Sequence, residues 1–406
     1  MEDGVTRLLR MSEKIVGAQI DGGSQGAART AASLLLFATD IWSGAPSPPP
    51  EPASVAPPAT PPVLVAQPPL SVAVITVAPP VAPTPSRQWP PRKLSLALQG
   101  GGTFAAFTWG VLERLLEEPD IEIDTITGAS AGAINALLLA SGLAEGGREA
   151  ARNRLNRFWV RLMHEASFRS LMLVGGFSPA GSSVAFGPTL RSGHFDPFDL
   201  DPLRQALSRD IDFAALRAAN APRLLIAATR IRDGQQQIFR NEAITPDVAL
   251  ASTCPPLVHC AVEIDGEAYW DGGFGGNPPL VRLVQETSAA DVLLVQVTPS
   301  RDSYVPITLA AIDRRLDQIA ANAALNAEVA AIEWAQSRAA PSLRLSRIAA
   351  EDAVDGLAQR SSTDLGRGFI RALHRSGREA AERWLGQGAS GADAQHTLPA
   401  AEAALA

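Results

Sequence analysis

Cysteine is almost missing from this 406-residue chain: Cys254 and Cys260 are its only two. That is too few for a disulfide framework or a four-ligand zinc site. The five histidines are scattered without metal-ligand spacing, so no metal is expected. Lysine is as scarce, with only Lys14 and Lys93, and no Lys/Arg cluster occurs. Acidic residues outnumber basic ones, 42 to 35, for a formal net charge of −7. A nucleic-acid partner held by phosphate neutralisation is therefore disfavoured. No apolar run reaches the ~20 residues a membrane helix needs. Ala31–Phe37 is too short, and prolines at 68, 69, 79 and 80 interrupt Val63–Val81. Met1–Lys14 mixes acids and bases without an apolar core, so no signal peptide is expected. The expectation is a cytoplasmic protein, at most peripheral to membranes.

What is present is a core-forming composition, 46% apolar and 19% charged, unevenly distributed. Residues 1–43 hold a possible short helix around Thr30–Trp42. Residues 44–91 contain 17 prolines in 48 positions. Proline fixes φ and removes donors, so this stretch reads as a disordered, extended linker; a spacer and a motif for a proline-reading partner are both open. The expected remainder is a folded α/β domain at 93–300, a helical extension packed on it at 301–385, and a flexible tail at 386–406.

The domain opens with a strand over Leu94–Leu98, a glycine turn, and helical spacing over Phe104–Glu118 (Phe107, Val111, Leu115). A strand over Ile121–Thr127, a tight turn and an apolar helix over Ala133–Ser141 follow. Two strand–turn–helix units in succession predict a mostly parallel sheet between helical layers, a three-layer α/β/α fold. Asp233-Gly234 and Asp265-Gly266 predict hairpins between Arg223–Arg230 and Gln235–Phe239 and between Val262–Ile264 and Ala268–Trp270. Asp291–Val297 reads as a buried strand. Pro306–Arg338 and Gly366–Trp384 read as amphipathic helices.

Three turns carry chemistry. Gly128-Ala129-Ser130-Ala131-Gly132, between strand and helix, has the pattern of a nucleophile elbow, in which a sharp turn lifts the serine hydroxyl toward substrate; a helix cap at Ser130 is the structural alternative. Gly100-Gly101-Gly102 can turn successive N–H groups toward one anion or oxyanion. With Ala105 it also approximates a dinucleotide fingerprint, which keeps an oxidoreductase reading open. Asp271-Gly272-Gly273 places a carboxylate on a constrained corner beside Tyr269, Trp270 and Phe274, where partial dehydration would make it a base; a turn aspartate is the alternative. His164, His194, His259, His374 and His396 all lack the loop context of a triad histidine.

In this order the three motifs resemble the patatin-like phospholipases, over roughly Lys93–Pro299. Ala251-Ser252-Thr253-Cys254-Pro255-Pro256-Leu257 and Gly276-Asn277-Pro278-Pro279 are similar to further segments of that family. The resemblance implies a serine acyl hydrolase acting on phospholipid or other acyl-lipid esters without metal or organic cofactor. It implies Ser130 as nucleophile, Asp271 as general base and Gly100, Gly101 and Gly102 as oxyanion loop. Phe104 and Ala105 depart from the family, which usually has a basic residue or histidine and then a glycine there. The departure opens a second reading, a weakened or non-catalytic lipid-binding relative. Phe158–Phe198, with the apolar Phe168–Val174 and with Phe177, Phe186, Phe195 and Phe198 to line an acyl slot, is the expected substrate cover.

Overall fold

The computed structural model describes residues 89–165, 201–254, 261–338 and 343–387. The short helix near Thr30, the linker up to residue 88, most of the Phe158–Phe198 cover and the tail from 388 lie outside the described residues.

Strand β1 (Lys93–Leu98) shows how the layers arise. Leu94, Leu96 and Leu98 point into one apolar cluster and Ala97 into another on the opposite face, as the two-residue period of a strand requires. The first face is covered by α1 (Ala105–Leu115), α2 (Ala131–His164), α4 (Pro246–Ser252) and α7 (Arg367–Gly386). The second is covered by α5 (Leu280–Glu286) and α6 (Leu309–Arg338), through Leu280, Leu283, Leu325, Val329 and Ile332. The short helix α3 (Asp201–Asp210) packs with α2 and α4. Helix α2 is longer than the sequence predicts and breaks at Gly146 and Gly147.

Strands β2 (Glu122–Gly128), β3 (Arg223–Arg230) and β7 (Asp291–Gln296) run parallel around β1, in the order β3-β2-β1-β7. Beyond β3 come the antiparallel β4 (Gln236–Phe239), β5 (Val262–Ile264) and β6 (Glu267–Asp271). The expected hairpins form, with Asp265 and Gly266 both at positive φ, 52° and 77°, as a type I′ turn demands.

The region after residue 300 is not helical throughout. Arg344–Ala349 forms β8, parallel to β7 in the register Asp291↔Arg344 to Gln296↔Ala349, so the sheet runs past the boundary at 300. Arg344, Ser346 and Arg347 interrupt its apolar pattern because β8 is an edge strand, only its last two residues being buried. Arg344 ties it back through Asp291, Nε to Oδ1 2.6 Å. Trp89 packs edge-on against Trp384, with centroids 4.7 Å apart, and its indole N–H donates to the Leu385 carbonyl. The last residues of the predicted linker thus join the folded body.

From β1 the chain moves outward through β2 to β3, and later outward on the other side through β7 to β8. Strand order reverses at β1, and crevices in such sheets open beyond the carboxyl ends of the strands at that point.

Candidate active site

The turn after β2 is tight because two glycines let backbone pass backbone. A Cβ on Gly132 would sit 2.2 Å from the Leu98 carbonyl oxygen, and one on Gly128 would sit 2.7 Å from the Gly132 carbonyl carbon. Between them Ser130 is held at φ 55°, ψ −133°, a conformation that non-glycine residues occupy at a cost of ~1–3 kcal/mol. The Ser130 N–H is tied down by Ser252, whose carbonyl and hydroxyl oxygens accept it at 3.1 and 3.2 Å. This gives Ser252 a role that the sequence did not reveal.

Asp271 ends β6. Its carbonyl accepts the Thr229 hydroxyl at 2.8 Å, and its N–H donates to the Cys254 carbonyl at 2.9 Å. The carboxyl is almost wholly buried, at 2% exposure. Oδ1 accepts the Gly273 N–H at 2.7 Å, and the Ser130 hydroxyl lies near enough to the same carboxyl group to lower its proton affinity. Burial pushes this carboxyl up to about 7, and the Gly273 N–H and the nearby Ser130 hydroxyl hold it partway down. The turn hydrogen bond and the dehydrated carboxyl are therefore one arrangement.

The glycine loop lies against the serine. A Cβ on Gly100 would fall 2.6 Å from that of Ser130, and Gly102 uses φ 56°, which glycine adopts without strain. Asn277 clips the loop in place: Oδ1 accepts the Gly100 N–H at 2.6 Å and Nδ2 donates to the Gly100 carbonyl at 3.2 Å. Gly100 is thereby spent as a donor. The N–H groups of Gly101, Gly102 and Ala131 have no partner among the described residues. Behind the loop, fully buried Gln99 accepts the N–H groups of Val297 and Thr298 at 2.9 and 2.8 Å and donates to Asn322 of α6 at 3.0 Å.

The departure at Phe104 and Ala105 does not strain the loop. Ala105 sits at φ −65°, ψ −6°, where a methyl group is harmless. Phe104 turns into the core and meets Phe369 of α7 edge-on, with centroids 6.1 Å apart. His374 lies in the seam between α1 and α7, paired with Glu113 and against the Trp109 ring. His164 is exposed at the end of α2. His194, His259 and His396 lie outside the described residues.

Ser130, Asp271 and the three glycines open into a cleft of about 290 Å³. Its far wall comes from α6, through Asp313, Arg314 and Asp317, and from Arg360–Thr363. Burial, reinforced by the nearby Asp313, raises Asp317 to about 6. Another surface depression, over the seam between α1 and α7, is walled by ion-paired Arg114, Glu117, Arg378 and Glu382 and holds no nucleophile. No group of His, Cys, Asp and Glu among the described residues is arranged to hold a metal ion.

Among solved structures, the chain is similar to VipD from Legionella pneumophila, at 12% identity over 73% of this chain and 66% of that one, with a TM-score of 0.37. It is similar to the type III effector ExoU, at 16% identity over 73% of this chain and 53% of that one, with a TM-score of 0.31. ExoU of Pseudomonas aeruginosa in complex with SpcU gives 17% identity over 74% and 53%, with a TM-score of 0.31. The chain thus spans just under two thirds of VipD and about half of ExoU. No curated protein matches it. The patatin-like phospholipase family model matches residues 96–284, from β1 through α5, with the glycine loop, the serine elbow and Asp271 all inside. Residues 96–284 are a patatin-like phospholipase domain.

Proposed function

We propose that the protein is a serine acyl hydrolase that cleaves lipid esters through a dyad of Ser130 and Asp271. The reading rests on one observation: a serine on a strained elbow opens into the same cleft as a buried carboxyl group that burial raises to about 7. An ordinary carboxylate is too weak a base to take a serine proton; burial moves Asp271 toward the basicity that the task needs. In the forward step Asp271 takes the hydroxyl proton while Ser130 Oγ bonds to the ester carbonyl carbon. The N–H groups of Gly101, Gly102 and Ala131 donate hydrogen bonds to the developing oxyanion. The proton passes to the departing alkoxide, leaving an acyl-serine and the alcohol portion of the lipid. Water then gives its proton to Asp271 and its oxygen to the acyl carbon, releasing the fatty acid and restoring the serine.

A fluorophosphonate probe tests the nucleophile directly. Wild type is expected to label and Ser130→Ala to remain unlabelled at equal folded concentration. Equal labelling of both would remove Ser130 from the chemistry. The unstrained Ala105 and core-facing Phe104 give no support to the non-catalytic reading. The glycine loop packed against Ser130 favours an oxyanion over a dinucleotide phosphate.

A further inference from the structure

Helix α6 is built inside out along its first half. The side chains turned toward the domain include Gln318 and Asn322, both buried, with Gln318 bonded to the Ala358 carbonyl and Asn322 to Gln99, Gln296 and the Pro299 carbonyl. The side chains turned to solvent include Leu309, Ile312, Leu316 and Ile319. Spacings of three and four residues put these on one stripe. The stripe continues through exposed Ala323, Ala327 and Ala330 to exposed Trp334.

The loop leading into the helix extends this surface. Val305, Ile307 and Leu309 are 87, 90 and 82% exposed, and Tyr304 is 70% exposed. No charge occurs from Ser303 to Ile312. Scattered exposed apolar residues need no explanation, but a contiguous apolar surface marks something that covers it.

We propose that this surface, the Tyr304–Leu309 loop with the outer stripe of α6, rests on a lipid bilayer and sets the cleft at the membrane boundary. The proposal builds on the acyl-lipid reading of the cleft. Three features favour lipid over a protein partner. Aliphatic side chains on an irregular loop, nearly free of neighbours among the described residues, suit a fluid hydrocarbon better than a shaped protein surface. The aromatic residues stand at the ends, Tyr304 before the helix and Trp334 near its close, and such rings prefer the polar boundary of a bilayer. Finally, the same helix supplies Ala310, Asp313 and Asp317 to the cleft wall, so whatever covers the stripe stands beside the mouth. A bilayer there delivers substrate.

The test is flotation of the full chain with phosphatidylcholine vesicles, comparing wild type with Val305→Ser/Ile307→Ser/Leu309→Ser and with Ile307→Asp. Wild type is expected to float, and to do so still in about 0.5 M salt, since apolar burial is little screened. The triple variant should partition at least about tenfold less, given the apolar area it removes, and Ile307→Asp should be weakened in the same direction. Both variants should keep the wild-type melting temperature and turn over a short water-soluble ester within about twofold of wild type. The proposal is overturned if wild type stays in solution, or if the variants float as well as it does. It is also overturned if the substitutions convert a wild-type dimer to monomer without changing flotation, which gives the face to a second copy. Flotation does not depend on turnover. If no ester is hydrolysed but flotation follows the pattern above, the bilayer surface stands and the hydrolase reading falls.

Discussion

At Asp271 two requirements pull against each other. A base must be ionised to act, yet burial favours its proton. With the group at about 7, kcat/KM should rise with pH through a single ionisation near neutrality, without a step that needs an imidazole. Asp271→Asn keeps the shape and loses proton acceptance, so ester cleavage should fall by roughly 10²–10⁴. Asp317, raised to about 6 in the same cleft, is the control. Asp317→Asn should leave the midpoint of the rate profile in place.

Stability should show the same conflict. The folded group lies above its unfolded value of 3.8, so the folded state prefers the neutral acid. That preference is intact at low pH and is lost as pH rises through about 7. The advantage of Asp271→Asn over wild type should therefore grow between pH 4 and 7, by up to about 1.4 kcal/mol per pH unit, and then level off. Chemical denaturation of both proteins across that range would show it. At Ser130 the backbone itself is the issue. Ser130→Gly removes the penalty of φ 55° and should raise stability by up to ~1 kcal/mol while abolishing labelling by the fluorophosphonate.

Among the elements, α1 and α7 meet most closely, through facing glycines. A Cβ on Gly110 would lie 2.0 Å from the His374 carbonyl oxygen, and one on Gly377 would lie 2.1 Å from that of Phe107. Neither neighbour is a flexible side-chain end, so Gly377→Ala must push the helices apart. Overpacking of this kind costs ~1–3 kcal/mol, which should appear as a melting temperature lower by several degrees. Because α7 holds Phe369 against Phe104 beside the glycine loop, turnover should fall with it.

These helices also show what a sequence can disclose. Strand β1 was legible from its alternating leucines, β7 as an apolar run, and β3 with the hairpins from the Asp-Gly pairs, because those signals are local. Strand β8 was not, since an edge strand needs no apolar run and its register is set by β7. The full length of α2 was hidden by Gly146 and Gly147, which look like a stop. In the site, the motifs point to Ser130, Asp271 and the glycine loop. They do not show that Asn277 occupies the Gly100 N–H, that Ser252 holds the elbow, or that Gln99 reaches Asn322. Those pairings join residues far apart in the chain, and no local pattern encodes them. The inversion of α6 is hidden likewise: its period is amphipathic, but nothing in the period says which face turns inward.

For the whole molecule, the family match ends at residue 284 but the fold does not. Helix α6 covers Leu280, Leu283, Val292 and Leu294 on one face of the sheet, and β8 pairs the edge of β7. A chain ending at residue 300 keeps every motif residue but bares that apolar face and an unpaired strand edge, a template for aggregation. It should run as aggregate on size exclusion and take no fluorophosphonate label, although Ser130, Asp271 and the glycines are all present.

The far wall of the cleft, α6 and Arg360–Thr363, therefore has a meaning in time. A ribosome makes the chain from its N-terminus, so the glycine loop and Ser130 emerge early and Asp271 much later. The wall appears after both. Until then the nascent protein carries Ser130 and Asp271 without that enclosure. If the proposed chemistry at Ser130 needs this later segment docked, the order of synthesis acts as the switch, and a partly made copy holds Ser130 idle.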